Sequence, residues 1–320
     1  ALELYTEMDD IKRVLVHTHA IPAEFLITFF GSLSADKCLE CLRELLKNSV
    51  RQNLQIVVKV ATKYSEELTP EALIEMFKAY NSHEGLYYYL GSIVNTVDNT
   101  EVHNNYIFAA AKLQQFKEVE RVCRDSTAYD PERVRDFLIE AHLPDPRALI
   151  HVGDRHGYVD AVTQYLWKNN QKEFINVYVQ RVRPAMTPTV VGKLLDLDAD
   201  EEYIKALLNS VRKLCPVEPL VEEVEKRNRL RLLTPFLEQL INEGNVEPAT
   251  HNAIGKIYIV LNREPQTFLR TNMYYDSRVL GRFCQKLDPY LSYLAYRRAP
   301  DHSCDNELIE VTNDNGLFND

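Results

Sequence analysis

The stretch RDSTAYDPERVRDF, residues 124–137, has a counterpart in RTNMYYDSRVLGRF, residues 270–283. Each stretch contains an Arg, four intervening residues and a Tyr-Asp pair, and the two pairs lie 146 positions apart. Asp is a favoured helix N-cap because its carboxylate accepts hydrogen bonds from the free amides of the first turn. Asp130, which precedes Pro131, and Asp276 therefore predict the starts of two equivalent helices.

The residues before each Asp predict a repeated connection between helices. Tyr129 and Tyr275 directly precede the caps and are placed to pack on the first turn of the following helix. Arg124 and Arg270 fall at the end of the preceding helix, where a cation is favourable beside exposed carbonyls. A looser match, HNNYIFAAAK with THNAIGK, has an offset between 144 and 148 residues, which supports a long repeat.

Apolar residues recur at helical spacing almost throughout the chain, as in Leu39, Leu42, Leu45 and Leu46. We count about twenty short amphipathic helices and find almost no support for strands. A unit of about 145 residues with about ten helices corresponds to five helix pairs of roughly 29 residues each. Because the links are short, neighbouring helices should be antiparallel. The pattern predicts an all-α rod of stacked helix pairs, roughly 100 Å long and without a linker.

Further helix starts are expected at capping signals. These signals are Ser34, Thr69-Pro70, Thr187-Pro188 and Glu247-Pro248.

The charge balance argues against several classes of partner. The chain has 47 acidic and 37 basic residues, for a formal net charge of −10, which disfavours binding to nucleic acid or anionic lipid. No apolar run approaches the roughly 20 residues that a bilayer span needs. The six scattered cysteines and the absence of an Asn-x-Ser/Thr acceptor are as expected for the cytosol. Since Ala1 stands within a helical pattern, we expect a segment of a longer protein.

The C-x-x-C pair of Cys38 and Cys41 raises the possibility of redox chemistry or half of a zinc site. Both cysteines fall inside a helix, and no second ligand pair lies nearby in sequence, so we interpret them as core residues. The isolated Cys123, Cys215, Cys284 and Cys304 are likewise expected to be small buried side chains.

The segment DLDADEE, residues 196–202, imitates a calcium-binding loop. The sixth and twelfth positions of such a loop require Gly and Glu, but here they are Glu201 and Leu207. We instead predict a solvated turn in which Asp200 caps the next helix.

The segment EEVEKRNRLRLL, residues 222–233, resembles a basic patch of the kind that binds nucleic acid. Glu222, Glu223 and Glu225 each precede a basic residue by four positions, which predicts ion pairs along an exposed helix face.

No catalytic residue, cofactor site or metal site is predicted. His17 and His19 would point to different sides of a helix, and no Gly-rich phosphate loop or hydrolase motif occurs. We therefore do not expect an enzyme. The aromatic clusters, such as Tyr87, Tyr88 and Tyr89, are expected to fill the seam between helices, with one tyrosine of this triplet a candidate interface residue.

The chain resembles the clathrin heavy-chain family over essentially all of its length. The resemblance runs through segments that include DIKRVLVHTH, RQNLQIVV, KEVERVCR, YDPERV, VEKRNRLRLL, EPATHNA and YYDSRV. It implies a right-handed superhelical α-solenoid from the distal leg, with the later part of one repeat in residues 1–97. A complete repeat would occupy residues 98–243, and residues 244–320 would begin the next.

The resemblance also implies a function. The segment would be a strut of the polyhedral lattice that coats pits and vesicles in endocytosis and intracellular traffic, peripheral to the membrane in the cytoplasm. Its partners would be other heavy-chain legs at unknown interface residues, whereas trimerisation and binding of light chains and adaptors would belong to regions outside these residues. The alternative is another helical-repeat trafficking scaffold, such as a vacuolar sorting or tethering subunit.

Overall fold

The computed structural model describes residue 5, residues 7–15, residue 17 and residues 20–317. Across these residues the chain contains short helices and no β-strand. It divides into two compact units, residues 1–158 and residues 159–320. The all-α class expected from the apolar spacing is confirmed.

The first unit contains eleven α-helices in its described residues. They are α1 (Met8–Leu15), α2 (Ala23–Gly31), α3 (Ala35–Asn48), α4 (Val50–Lys63), α5 (Ser65–Leu68), α6 (Pro70–Ala79), α7 (His83–Ile93), α8 (Thr100–Lys112), α9 (Phe116–Asp125), α10 (Pro131–Ala141) and α11 (Arg147–His156).

The second unit contains eleven more α-helices in its described residues. They are α12 (Val159–Lys168), α13 (Lys172–Val177), α14 (Thr187–Asp196), α15 (Glu201–Val211), α16 (Val217–Glu225), α17 (Thr234–Asn242), α18 (Pro248–Leu261), α19 (Pro265–Thr271), α20 (Ser277–Gln285), α21 (Pro289–Arg297) and α22 (Asp305–Asn315). A π-helical turn, Tyr178–Val182, follows α13, and short 3₁₀ segments occupy Pro184–Met186, Arg212–Leu214, Leu230–Leu233 and Pro300–His302.

Within each unit the helices pack in a regular order. A helix contacts the next one along the chain, as α7 contacts α8, and also the one two positions further, as α16 contacts α18. Because the connecting loops are short, consecutive helices run antiparallel. Each unit is thus a stack of antiparallel helix pairs, the α-solenoid architecture that the sequence predicts.

The core of each stack is the apolar stripe shared by neighbouring helices. In α3 the stripe consists of Cys38, Cys41, Leu42, Leu45 and Leu46, all of which are buried. Full burial of a leucine side chain stabilises the fold by about 1.5–3 kcal/mol. A similar buried cluster joins α20 and α21 around Leu280, Leu291 and Tyr296, so the repeated seam supplies the main stabilisation along each stack.

The repeated Tyr-Asp segments start equivalent helices, as predicted. The Asp130 side chain accepts hydrogen bonds from the amides of Glu132 and Arg133 at the start of α10. In the same way, the Asp276 side chain accepts hydrogen bonds from the amides of Arg278 and Val279 at the start of α20. The two similar segments at residues 124–137 and 270–283 therefore both contain the start of a helix.

The other capping signals were less accurate. Ser34, Thr69 and Glu247 do occupy N-cap positions, but none of their side chains accepts a capping hydrogen bond. Thr187 is wrong as a cap, because α14 begins at Thr187 itself and Met186 is the cap residue. The Thr187 hydroxyl instead donates to the carbonyl of Pro184 at 2.6 Å, which ties α14 to the preceding 3₁₀ turn.

Candidate functional site

The C-x-x-C pair lies in the core. Cys38 and Cys41 are 2% and 0% exposed, and burial raises the pKa of their thiols to about 12 and about 11 respectively. A nucleophilic or metal-binding cysteine acts as the thiolate, which these surroundings disfavour. The interpretation of both residues as core side chains is confirmed.

The remaining cysteines are also buried, as expected: Cys123, Cys215, Cys284 and Cys304. In the described part of the chain, no group of three or more His, Cys, Asp or Glu side chains is placed to hold a metal ion. His19 lies outside the described residues, so its predicted orientation relative to His17 has no structural counterpart. Among the described helices, none combines the length and apolar character needed to cross a bilayer.

The acidic segment at residues 196–202 contains the turn between α14, which ends at Asp196, and α15, which begins at Glu201. The Asp200 side chain accepts a hydrogen bond from the amide of Glu202 at the start of α15, which confirms the predicted cap. Asp196 is paired with Arg227, which hydrogen-bonds to its carboxylate and lowers the pKa of Asp196 below the usual value.

The charged segment at residues 222–233 forms only part of the predicted pattern. Glu223 pairs with Arg227 at 2.7 Å, four positions on, as predicted. The other two predicted pairs, which begin at Glu222 and Glu225, do not form. Lys226 pairs with Glu223 at 2.9 Å instead of with Glu222. Arg229 lies four residues beyond the end of α16 at Glu225, so it is not held at helical spacing from Glu225.

The charges freed by this early helix end pair with other helices. Lys256 in α18 contacts Glu225 at 2.7 Å, and Arg229 approaches Glu201 in α15 at 3.6 Å. Of the basic residues in this segment, Lys226 pairs with Glu223 of its own helix, and Arg227 and Arg229 pair with Asp196 and Glu201 of other helices.

Similar polar contacts recur along both stacks and join helix pairs that follow one another in sequence. Six such contacts link side chains or carbonyls separated by 26 to 32 residues: Lys12–Glu40, Arg121–Asn95, Arg133–Glu101, Arg155–Arg124, Arg227–Asp196 and Lys256–Glu225. This separation is close to the roughly 29 residues per pair that the sequence predicts. We call these contacts inter-pair contacts; they were not predicted, because no local pattern identifies the partner.

The repeated helix start is held by an asparagine from an earlier helix. The side-chain oxygen of Asn104 in α8 accepts a hydrogen bond from the amide of Asp130 at 2.9 Å. Asn252 in α18 accepts from the amide of Asp276 at 2.8 Å. Asn104 and Asn252 belong to the two looser matching segments in the sequence, so the long repeat is a repeat of this contact.

An arginine from a later helix completes each copy of the connection. Arg155 at the end of α11 donates to the carbonyls of Arg124 and Ser126. Arg298, after α21, donates to the carbonyl of Arg270 at 3.0 Å. Both arginines thus satisfy carbonyls at a helix end that have no partner within the helix.

The three consecutive tyrosines of α7 lie in different environments. Tyr89 is fully buried and its hydroxyl hydrogen-bonds to Ser65 at 2.8 Å. Tyr87 stacks on Tyr106 with ring centres 5.5 Å apart. Tyr88 is 56% exposed. Two of the three therefore fill the helix seam as predicted, and Tyr88 is the member that faces outward.

The repeated helix pairs and the inter-pair contacts define the class of this protein as a helical-repeat protein. A family model described as a region in clathrin and VPS matches residues 61–202 and 208–320. Clathrin heavy chain of Dictyostelium discoideum is 55% identical over 319 residues, which cover 99% of this chain and 19% of that relative. Clathrin heavy chain of Drosophila melanogaster and clathrin heavy chain 2 of Homo sapiens are each 54% identical over 318 residues, again 99% of this chain and 19% of the relative.

The chain belongs to the clathrin heavy-chain family. It spans about a fifth of the length of these relatives.

Proposed function

We propose that this chain is a structural leg segment of a clathrin coat, a strut in the polyhedral lattice on pits and vesicles. The observation that carries the proposal is 54–55% identity to heavy chains along 99% of the chain. The stacked helix pairs support it, because units that contact only their neighbours resist stretching yet share small bends. The role is mechanical and requires no reaction centre. The alternative of a vacuolar sorting or tethering subunit is not favoured, since these relatives are heavy chains.

The proposed partners are other heavy-chain legs, on the cytoplasmic face of coated pits and vesicles. Weak contacts between legs add by multivalency, so that a cage is stable while each contact remains reversible. Trimerisation and the binding of light chains and adaptors are assigned to other parts of the full-length protein. With a formal net charge of −10, the chain is not proposed to bind nucleic acid or to enter the bilayer.

The test is assembly of the full-length protein that contains this segment. Purified protein is transferred to assembly buffer, and electron microscopy should show closed polyhedral cages that sediment with the coat fraction. A preparation that stays dispersed under conditions that assemble an authentic heavy chain would contradict the proposal. Variants that reverse the exposed charges of one helix face at a time then locate the leg contacts, since unchanged assembly excludes that face.

We also propose the division into repeats at residues 1–97, 98–243 and 244–320, stacked without a linker. The support is the period of the sequence. Small-angle scattering of the 320-residue chain should then give a radius of gyration well above the about 20 Å of a compact globule of this length. A value near that of a globule would refute the continuous stack.

A further inference from the structure

An open groove in the first unit is lined by α4 and α7. It lies beside α4 and has a volume of about 1130 Å³. One wall is formed by Val50, Leu54 and Val58 of α4, and the other by Tyr88 of α7 and by Leu113. The three α4 residues are only half-buried, and Tyr88 is 56% exposed. The groove therefore presents a row of apolar side chains to solvent.

The apolar row has the spacing of one helix face. Val50, Leu54 and Val58 are four residues apart, so their side chains lie above one another on α4. Such a stripe is what an amphipathic partner helix covers when it lies in a groove. Tyr88 can add an aromatic contact, a residue type enriched where protein partners bind.

The edge of the groove carries positive charge in a chain that is otherwise acidic. Arg51 and Lys59 line the groove and are exposed. Within the described residues neither forms an ion pair, unlike Arg133 and Arg227 of the inter-pair contacts. The helix α4 contains three basic residues and no acidic one, although the whole chain has a formal net charge of −10. On the facing helix, Glu84 is the carboxylate that lines the groove.

The two cations also set the spacing of complementary groups. Arg51 and Lys59 lie eight positions apart, which corresponds to about 12 Å along a helix. A partner helix that runs beside α4 would meet them with carboxylates about two turns apart. Such rim charges add little affinity, but they select the partner and its direction.

We propose that this groove binds a short amphipathic helix of a partner protein, with an apolar face toward Val50, Leu54 and Val58 and acidic residues toward Arg51 and Lys59. An anionic membrane fits less well, because the apolar side chains line a concave groove rather than a protruding face. The proposal goes beyond the lattice role, since it concerns a partner that the leg recruits.

The test uses full-length heavy chain and two fluorescein-labelled amphipathic peptides of about four helical turns. The acidic probe has leucines on one face and glutamates on both sides of it. The basic probe is identical except that lysines replace the glutamates. Fluorescence anisotropy should show that the wild-type protein binds the acidic probe and discriminates against the basic probe by at least tenfold.

Three variants of the full-length protein locate the binding. R51E/K59E should bind the acidic probe at least tenfold more weakly than the wild-type protein does, and it should bind the basic probe more tightly than the wild-type protein does. Val58→Asp should weaken both probes by removing the apolar contact. The matched control, K37E/K117E, reverses two exposed lysines outside the groove and should bind as wild type. Because R51E/K59E changes only exposed side chains, an unaltered circular dichroism spectrum and melting curve are expected and checked.

Several outcomes would overturn the proposal. Equal binding of both probes, or unchanged binding to R51E/K59E, would show that charge at the groove selects nothing. Flotation with phosphatidylserine vesicles that is lost in R51E/K59E would assign the surface to a membrane. Self-association of the heavy chain in sedimentation that is lost in the same variant would assign it to a second copy. Cage assembly, measured on the same preparations, reports the lattice role separately.

Discussion

The hydroxyl of Tyr129 donates a hydrogen bond to the carbonyl of Cys123 at 3.0 Å, so the loop that enters α10 is tied to the last turn of α9. The second copy has the same bond, from Tyr275 to the carbonyl of Leu269 at 2.8 Å. Both tyrosines are buried. Their position before each cap was predicted as a packing contact, but the structure shows that the hydroxyl also satisfies a carbonyl at the helix end.

Removal of either hydroxyl should weaken its own unit by a similar amount. Tyr129→Phe and Tyr275→Phe each lose one buried hydrogen bond, so we expect a loss of about 0.5–1.5 kcal/mol in the free energy of unfolding. Urea denaturation followed by circular dichroism measures it. Tyr88→Phe, at an exposed position, is the control and should have no effect. A negligible cost at both buried positions would mean that the bond does not hold the repeat.

Because two hydrogen bonds join Arg227 to Asp196, the coupling free energy of this inter-pair contact should exceed that of an exposed ion pair within one helix. Nε and Nη2 of Arg227 each lie 2.7 Å from a carboxylate oxygen of Asp196. Because Asp196 is 46% exposed, solvent limits the coupling to about 1 kcal/mol. A double-mutant cycle with Arg227→Ala and Asp196→Ala should measure it through the fluorescence of Trp167, the single tryptophan, in the same unit.

The matched control is the pair Lys205–Glu202 within α15, where the glutamate is 76% exposed. Its coupling should be near zero, since such exposed pairs contribute little. Equal couplings for the two pairs would contradict a special role for the inter-pair contact.

Gly281 allows the close approach of α20 to α21. A Cβ atom at this position would lie 2.2 Å from Cε1 of Tyr296, which is buried. Gly281→Ala should therefore destabilise the second unit by about 1–3 kcal/mol, despite the better helix propensity of Ala. Thermal unfolding followed by Trp167 fluorescence tests this expectation.

Gly192→Ala is the control for the glycine substitution. Its Cβ would approach only the ends of the Glu223 and Arg227 side chains, at 2.9 and 3.0 Å. These flexible groups can shift, so the cost should be smaller. A larger loss for Gly192→Ala than for Gly281→Ala would contradict the packing argument.

The buried thiols should be unreactive in the folded chain. Burial raises the pKa of Cys38 and Cys123 to about 12, so the thiolate is scarce at neutral pH. Iodoacetamide at pH 7.5 should modify neither residue until denaturant is added, as mass spectrometry can show. Rapid alkylation of the native chain at Cys38 would instead favour a redox role for the C-x-x-C pair.

The first unit should lose stability when the pH falls below about 6.5, the usual pKa of histidine. Burial lowers the pKa of His151 and His156 in the folded chain. The unfolded chain therefore binds protons first as the pH falls, and stability is complete only above the unfolded pKa. His156→Phe keeps a ring beside Tyr129 and should flatten the decrease in melting temperature between pH 7.5 and 5.5. If the melting temperature of His156→Phe fell with pH as steeply as that of the wild type, His156 would not be a cause of the acid destabilisation.

The sequence predicted the features that depend on neighbouring residues in the chain. The caps at Asp130, Asp200 and Asp276 and the buried seam follow from local patterns, and the structure confirms them. The early end of α16 was missed, because an uninterrupted helical spacing of charges suggested that the helix continued. Nothing adjacent to Lys256 in sequence identifies its distant partner Glu225.

The exposed surface was predicted least well. The sequence singled out three tyrosines without indicating which would face outward, since that depends on how α7 packs on α4 and α8. The groove beside Val58 and Tyr88 joins residues from separate helices, so only the packed structure reveals it.

The short sequence separation of the inter-pair contacts, 26 to 32 residues, bears on how such a chain is made. During synthesis, each helix pair can form its inter-pair contacts as soon as the next helix pair has emerged from the ribosome. Low contact order of this kind favours rapid folding, and synthesis from the amino terminus then lets the leg grow pair by pair during translation.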